Sequence, residues 1–153
     1  MSLESSFSEV YTKFKMHFYR ELFSSAPENE ESLTTVETFC MEVIHAMKRP
    51  TINEFASFIQ ISQPNAAYKV NNLIRKGYLM KTRSTKDKRE YFLEVTPKYI
   101  EHMNASEKFM KNVCGRLEKK LSAEDSKRLE MIFNMVSDEM MQEVPNYQPK
   151  KEG

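Results

Sequence analysis

The segment from Pro50 to Thr96 constrains the fold of this chain more than any other part of it. Two short stretches with helical spacing of apolar residues come first, joined by a tight turn. Two stretches with alternating apolar and polar residues follow, separated by a charged loop, which is typical of a β-hairpin. Two short helices and a charged hairpin, in that order, predict a winged helix-turn-helix.

The two helices of this segment have clear start and stop signals. Thr51 with Glu54 forms a capping box at the start of the first helix. Ser62 is the predicted cap of the second helix, and Pro64 lies in its first turn, where a missing N–H costs nothing. We expect this second helix to run to residue 76 and to stop at Gly77, which suits a left-handed cap.

The hairpin is predicted from two runs, Tyr78 to Arg83 and Glu90 to Val95. The polar and mostly basic tip between them spans residues 84–89. Asp87 is unusual on a surface that would meet DNA. It either orients a neighbouring cation by pairing with Arg89 or is an ordinary turn residue.

Helical periodicity predicts four further helices or helical regions around this unit. The first covers residues 3–26 and ends near Ala26–Pro27. The second starts at a capping box of Thr34 and Glu37 and stops at Arg49–Pro50, because proline disfavours helix in the residue before it. The third starts at Thr96–Pro97 and runs to residue 121, and the last is capped at residue 122 and runs to residue 144.

The net charge of +1 is unevenly distributed along the chain. Residues 48–98 contain 11 Lys and Arg against 4 Asp and Glu, a net charge of +7, whereas residues 1–47 have a net charge of −5. A concentrated positive charge suits a polyanion, although composition alone also fits a solvated charged surface.

The sequence contains few residues suited to other chemistry. It has no phosphate-binding glycine loop and no paired metal motif, so we expect neither an enzyme nor a cofactor. No apolar run reaches the length of a membrane span, so we expect no membrane partner. The three histidines (17, 45 and 102) are scattered, which disfavours a metal site. Cys40 and Cys114 lie on apolar stripes outside any CxxC motif, which fits a reducing compartment and disfavours redox sensing. We expect a cytoplasmic protein.

The second helix of the central unit has two chemically different faces. One face is apolar and centred on Val70. The opposite face carries amides, a phenol and cations, namely Asn65, Tyr68, Lys69, Asn72, Arg75 and Lys76. Asparagine can bond adenine bidentately and lysine can reach guanine or phosphate, so this face suits DNA. A solvent-exposed face of a core helix is the alternative interpretation.

These residues resemble those of the MarR family of bacterial transcriptional regulators. The resemblance covers about residues 34–96 by motif and nearly the whole chain by helix order. Three groups carry it: Glu54, Phe55, Ala56, Ile59, Ile61, Ser62 and Gln63; Leu73, Lys76, Gly77, Tyr78 and Leu79; and Asp87, Lys88 and Arg89 with Leu93, Val95 and Thr96. Tyr99 departs from the family pattern, which often has glycine there, and Tyr68 is bulky for its place.

The resemblance implies a mostly α (α+β) fold of about six helices with a β-hairpin wing, as one MarR-like domain over residues 1–153. Residues 34–96 would bind DNA, 3–26 and 97–144 would form dimerisation helices, and 145–153 would be a flexible tail. The expected DNA contacts are Ser62, Gln63, Pro64, Asn65, Tyr68, Lys69, Asn72, Arg83, Lys86, Asp87, Lys88 and Arg89. The expected homodimer interface contains Phe7, Phe14, Phe133, Met135, Val136 and Met140.

Regulators of this family often release DNA when a small aromatic or anionic compound binds between the dimerisation helices and the winged unit. The corresponding residues here are Phe14, His17, Phe18, Phe39, His45 and Tyr99, although an aromatic stripe is also typical of a core. The sequence thus predicts a DNA-binding regulator, and the resemblance implies a repressor that binds a pseudo-palindromic operator as a homodimer. The alternative is a winged-helix protein-interaction module that does not bind DNA.

Overall fold

The computed structural model describes residues 1–24 and 29–150. The chain divides into two compact units, Met1–Phe39 and Cys40–Gly153, and each is described by itself.

The first unit is built on helix α1 (Leu3–Ser24). The predicted end of this helix near Ala26–Pro27 lies outside the described residues. The Thr34–Glu37 capping box is present: the Thr34 N–H donates to a Glu37 carboxylate oxygen at 3.0 Å, and the Glu37 N–H donates to the Thr34 hydroxyl at 3.2 Å. It opens helix α2 (Thr35–Ala46), which continues into the second unit.

The second unit contains the winged helix-turn-helix and the C-terminal helices. After α2 the order is α3 (Ile52–Ile59), α4 (Gln63–Arg75), β1 (Leu79–Arg83), β2 (Tyr91–Val95), α5 (Pro97–Ser106), α6 (Lys108–Lys120), α7 (Ala123–Met135) and a π-helical segment (Val136–Met140). The strands pair antiparallel, with Leu79 opposite Val95 and Arg83 opposite Tyr91. The mostly helical fold with a hairpin wing is confirmed.

Helix α3 begins and ends through local hydrogen bonds. At its start the Glu54 N–H donates to the Thr51 hydroxyl and the Thr51 N–H donates to the Glu54 carboxylate, both at 3.1 Å, so the predicted capping box is confirmed. At its end Gln60 adopts a left-handed conformation with φ of 58°. This residue turns the chain sharply toward Ser62, the cap of α4.

Helix α4 ends at Arg75 and is capped by Lys76, and the chain turns at Gly77, the residue at which the sequence predicts the stop. Gly77 has φ of +83°, a left-handed conformation that is strained for residues with a Cβ atom. Its N–H donates to the Ile74 carbonyl at 3.0 Å, and the Tyr78 N–H donates to the Leu73 carbonyl at 3.1 Å. This pair of bonds is the Schellman motif, and it directs the chain from α4 into the first strand of the wing.

One apolar core joins α2, α3, α4 and the wing. Its fully buried side chains come from every one of these elements: Met41, Ile44, Phe55, Val70, Leu73, Leu79 and Leu93. Burying each such side chain contributes about 1.5–3 kcal/mol to the free energy of unfolding. The inner face of α4 therefore belongs to the core, and only its outer face is available for contacts outside the unit.

Three helix boundaries differ from the sequence predictions. Helix α2 ends at Ala46 rather than near Arg49, because Lys48 and Arg49 adopt left-handed conformations with φ of 54° and 71°. The predicted helix over residues 97–121 is divided after Ser106, whose hydroxyl donates to the Met103 carbonyl at 2.9 Å; such bonds back to the helix backbone often bend helices. This division gives the described chain seven α-helices rather than six. The last helix turns π-helical at residue 136 and ends at residue 140, before the predicted residue 144.

Over the described ranges 1–24 and 29–150, no helix has both the length and the apolar character needed to cross a bilayer.

Replacing two glycines with alanine should change stability in opposite directions. Gly77→Ala should lower the free energy of unfolding by about 1 kcal/mol or more, because a Cβ atom strains the left-handed conformation. The added Cβ would meet Lys98 only at 3.7 Å, so a clash is not the cause. Gly115→Ala in helix α6 should raise the free energy by up to about 1 kcal/mol, because nothing lies within 4 Å and alanine is the better helix former. Urea unfolding of both variants measures this, and equal shifts of one sign would contradict it.

Candidate nucleic-acid interface

The outer face of α4 presents polar groups to solvent. Ala66, Val70 and Leu73 are buried beneath it. On the opposite face Asn65 is exposed and Tyr68 is 67% exposed, while Lys69 and Asn72 are half-buried. The helix therefore separates a structural face from a face that can contact another molecule, as the 100° rotation per residue predicts.

The first turn of α4 is fixed by Ser62. The Ser62 hydroxyl accepts the N–H of Asn65 at 3.3 Å, which caps the helix. Gln63 and Pro64 follow in this turn and are exposed. Ser62 thus holds the turn in place, and the side chains of Gln63 and Asn65 project from a defined backbone.

Lys76 does not lie on this outer face, and that part of the helical-wheel interpretation is wrong. Lys76 is only 7% exposed. The chain leaves the helix at this residue to enter the left-handed Gly77, so the regular rotation per residue no longer applies. The Lys76 carbonyl accepts a hydrogen bond from the Lys98 ammonium at 2.7 Å, which ties the end of α4 to α5. Arg75, one residue earlier, is exposed as predicted.

The tip of the wing is organised by Ser84, a residue that the sequence interpretation missed. Ser84 is 5% exposed. Its hydroxyl accepts the backbone N–H groups of Lys86 and Asp87, both at 3.2 Å, in a serine-based turn. The Arg83 guanidinium Nε donates to the Lys88 carbonyl at 2.7 Å, which closes the base of the same loop. A serine at the start of a predicted tip was the available signal for this turn.

Asp87 pairs with Arg89, so the first of its two predicted roles is confirmed. Arg89 Nε donates to Asp87 Oδ1 at 3.0 Å, and a terminal nitrogen donates to Oδ2 at 3.1 Å. The hydrogen bonds from the Arg89 side chain and backbone hold the pKa of the Asp87 carboxyl below its ordinary value. The Arg89 side chain remains 90% exposed. The guanidinium is therefore oriented by a bidentate contact while it faces outward.

The wing is attached to the start of α3 by an ion pair that local sequence patterns do not reveal. Arg49 Nε donates to Glu94 Oε1 at 2.5 Å, and the Arg49 guanidinium lies 4.4 Å from the centre of the Phe92 ring. The Leu93 N–H donates to the Pro50 carbonyl at 2.8 Å, and Thr51 forms an isolated bridge with Phe92. Arg49 and Glu94 are 45 residues apart in the sequence, so apolar periodicity could not identify this ion pair.

The residues predicted for an effector pocket are divided between the two units. In the first unit the rings of Phe18 and Phe39 lie 6.0 Å apart. In the second unit His45 and Tyr99 lie 5.9 Å apart, edge to face. Tyr99 is 2% exposed, and burial is the main cause that raises its pKa to about 12. Its hydroxyl therefore stays protonated over the whole physiological range.

The remaining predicted residues are placed as follows. Phe14 and His17 lie on α1 and are half-buried, with the His17 imidazole 3.9 Å from Glu21. The residues predicted for the dimer interface are all at least partly exposed, with Phe7 at 59%, Phe133 at 55%, Met140 at 60% and Met135 at 40%. Cys40 is buried and Cys114 is exposed. Within the ranges that the structure describes, no group of three or more potential metal ligands comes together.

Comparison with known proteins identifies nearly the same segment that the sequence motifs indicated, about residues 34–96. The model of the MarR family matches residues 33–91, which run from just before α2 to the first residue of β2. The predicted resemblance is thereby confirmed for this segment. A search of the curated proteins finds no match.

Solved structures share the fold of this chain at low sequence identity. FabT of Streptococcus pneumoniae, solved in complex with DNA, is 19% identical to this chain and superposes with a TM-score of 0.56. The alignment covers 88% of this chain and 97% of the FabT chain. A point mutant of MepR from a multidrug-resistant clinical isolate of S. aureus is 17% identical, with a TM-score of 0.65, and the alignment covers 89% of this chain and 95% of the MepR chain. A MarR-like transcriptional regulator of Thermotoga maritima is 21% identical, with a TM-score of 0.53, and the alignment covers 89% of this chain and 94% of the regulator's chain.

The Asp87 carboxyl should titrate below its ordinary pKa of about 3.9, and Arg89→Ala should raise its pKa toward that value. Because the pKa is lowered in the folded chain, the pairing stabilises the wing above the ordinary pKa. That stabilisation is lost as the pH falls through the lowered value. Carboxyl carbon shifts followed by NMR measure this. Lys88→Ala keeps the backbone carbonyl that Arg83 uses and serves as the control; an unchanged Asp87 pKa in Arg89→Ala would contradict the assignment.

Proposed function

We propose that this protein is a sequence-specific DNA-binding transcriptional regulator that acts as a homodimer on a pseudo-palindromic operator. The observation that carries the proposal is that two features occur together in one compact unit. These are an outward polar face on α4 and a wing tip whose Arg89 is oriented by Asp87. The MarR-family match and the DNA-bound FabT structure support it.

The outer face of α4 has the chemistry of a major-groove reader. Gln63 and Asn65 lie in the first turn, the part of a recognition helix that usually meets base edges. Their amides can pair bidentately with adenine. Tyr68, two-thirds exposed one turn further on, adds a ring that can contact a thymine methyl group or the sugar backbone.

The wing supplies the electrostatic part of binding. Lys86, Lys88 and Arg89 are exposed at its tip, where they can reach phosphates or the minor groove. The surrounding segment, residues 48–98, has a net charge of +7. Each phosphate that a cation neutralises releases counterions, so the affinity should fall steeply with salt.

Dimerisation is supported by apolar side chains that the single chain leaves exposed. Phe7 and Phe23 on α1 are 59% and 87% exposed, and Phe133 and Met131 on α7 are 55% and 61% exposed. Large apolar side chains in such number are typical of an interaction surface. Two copies would present two α4 helices, which on an inverted repeat are expected about 34 Å apart, one turn of DNA.

A small aromatic or anionic effector belongs to the same proposal through the family resemblance. The candidate residues are those of the Phe18–Phe39 and His45–Tyr99 pairs, together with Phe14 and His17. Effector binding would release or modulate DNA binding by changing the position of the recognition helices in the dimer.

Selection of bound fragments from random DNA at about 150 mM salt tests the function directly. Enrichment of an inverted repeat with half-sites about 10 base pairs apart is the expected result. Binding without enrichment would contradict sequence specificity. Absence of binding would favour the alternative, a winged-helix protein-interaction module.

Two substitutions should separate the roles of the wing and of α4. Arg89→Ala should weaken binding to operator and random DNA alike and reduce the salt slope by about one, because a phosphate contact is lost. Asn65→Ala should cost about 1–3 kcal/mol on the operator only, because a base contact is lost. Fluorescence anisotropy at several salt concentrations measures both. Lys127→Ala on α7 is the control, and an equal loss on both DNAs for Asn65→Ala would exclude base reading by that residue.

Phe133→Asp should convert the dimer to monomer, because a carboxylate cannot be desolvated in an apolar interface without large cost. Lys127→Asp places the same charge elsewhere on α7 and should leave the dimer intact. Sedimentation velocity over a concentration series distinguishes the two species. A Phe133→Asp variant that remains dimeric would remove this residue from the interface.

A further inference from the structure

The C-terminal strap, defined as residues 141–150, contacts α3 and the wing although it has no regular secondary structure. The Tyr147 ring packs edge to face on Phe58, with 6.4 Å between ring centres. The Lys150 ammonium pairs with the Glu54 carboxylate and lies 5.4 Å from the centre of the Phe92 ring. The far end of the strap is thus attached to the start of α3 and to β2.

The near end of the strap is attached to the π-helical segment. The Asn146 amide nitrogen donates to Asp138 Oδ1 at 2.6 Å, and the Ser137 hydroxyl donates to Asn146 Oδ1 at 3.3 Å. The Val144 N–H donates to the Met141 carbonyl at 3.1 Å, which turns the chain back toward α3. The strap is therefore held at both ends.

Beneath the strap lies a cavity of about 650 Å³, bounded on its other sides by α2 and α3. This volume falls within the range of about 300–1,000 Å³ that small-molecule sites occupy. Its walls are mainly apolar and include Val43, Met47, Phe58, Met141, Val144 and Tyr147. Two aromatic rings and two methionines provide flat and adaptable surfaces for an aromatic ligand.

The charged groups at this cavity are Glu42, Asp138 and Lys48, so carboxylates outnumber cations. Glu42 is exposed by surface area, and desolvation by its neighbours raises the pKa of its carboxyl. An ammonium group beside it would favour the carboxylate form and gain a charge-assisted hydrogen bond.

We propose that the cavity beneath the strap binds a small aromatic amine. The ring lies against Phe58, Tyr147 and Met47, the ammonium faces Asp138 and Glu42, and the strap closes over the ligand. The side chains that carry this proposal differ from those predicted for the effector pocket. Binding is measured on the protein alone, so the result is independent of the DNA-binding proposal.

Tryptamine and indole-3-propionate provide a matched pair of probes, with the same ring and opposite charges. Titration of the full chain, followed by backbone amide NMR, should show binding of tryptamine with shifts at Met47, Phe58 and Tyr147. Indole-3-propionate should bind at least about fivefold more weakly, as expected for exchanging one favourable charge contact. Failure of tryptamine to bind at millimolar concentration, or tighter binding of the anion, would overturn the proposal.

Four variants test the location of the bound probe. Ala46→Trp fills the cavity from an exposed position at the end of α2 and should abolish tryptamine binding. Asp138→Asn should weaken it about two- to fivefold, and Tyr147→Ala should weaken it by removing a wall. Glu139→Gln on the same π-helical segment does not line the cavity and is the control. Unchanged affinity in Ala46→Trp would place the probe outside the cavity. Shifts confined to the exposed apolar residues of α7 would place it on that helix, and either result would overturn the proposal.

Discussion

The connection between residues 49–51 and strand β2 attaches the wing to the start of α3, and the rest of the candidate interface depends on it. Arg49 reaches Glu94 at 2.5 Å, and the Pro50 carbonyl receives the Leu93 N–H at 2.8 Å. Thr51, which bridges to Phe92, is also the cap of α3. One short stretch therefore fixes both the hairpin and the helix-turn-helix. Arg49 and Glu94 are largely withdrawn from solvent, so loss of either partner would leave a poorly solvated charge.

Interactions between residues that are close in the sequence could be predicted from the sequence alone. The three caps at Thr34, Thr51 and Ser62, and the pairing of Asp87 with Arg89, involve partners two or three residues apart. Gly77 likewise turns the chain just after α4, where expected, because few other residues adopt its φ of +83°. In each case the local chain supplies both groups of the interaction, so residue type and spacing are sufficient.

Features that depend on distant residues could not be predicted in this way. Arg49 and Glu94 are separated by 45 positions, and Lys150 and Glu54 by 96. Lys76 was predicted on the outer face of α4, because a rotation of 100° per residue assumes that the helix continues through this residue. The chain instead turns there, and the Lys76 side chain is buried. The break after Ser106 arises from a hydroxyl competing for one carbonyl, which apolar periodicity does not register.

The division of α4 into two faces has a consequence for how proteins of this fold diverge. Ala66, Val70 and Leu73 are fixed by packing, whereas Asn65 and Tyr68 contribute little to the core. Mutations on the outer face can therefore accumulate at almost no cost in folding free energy. A duplicated gene could acquire a new target sequence while its product stays folded throughout.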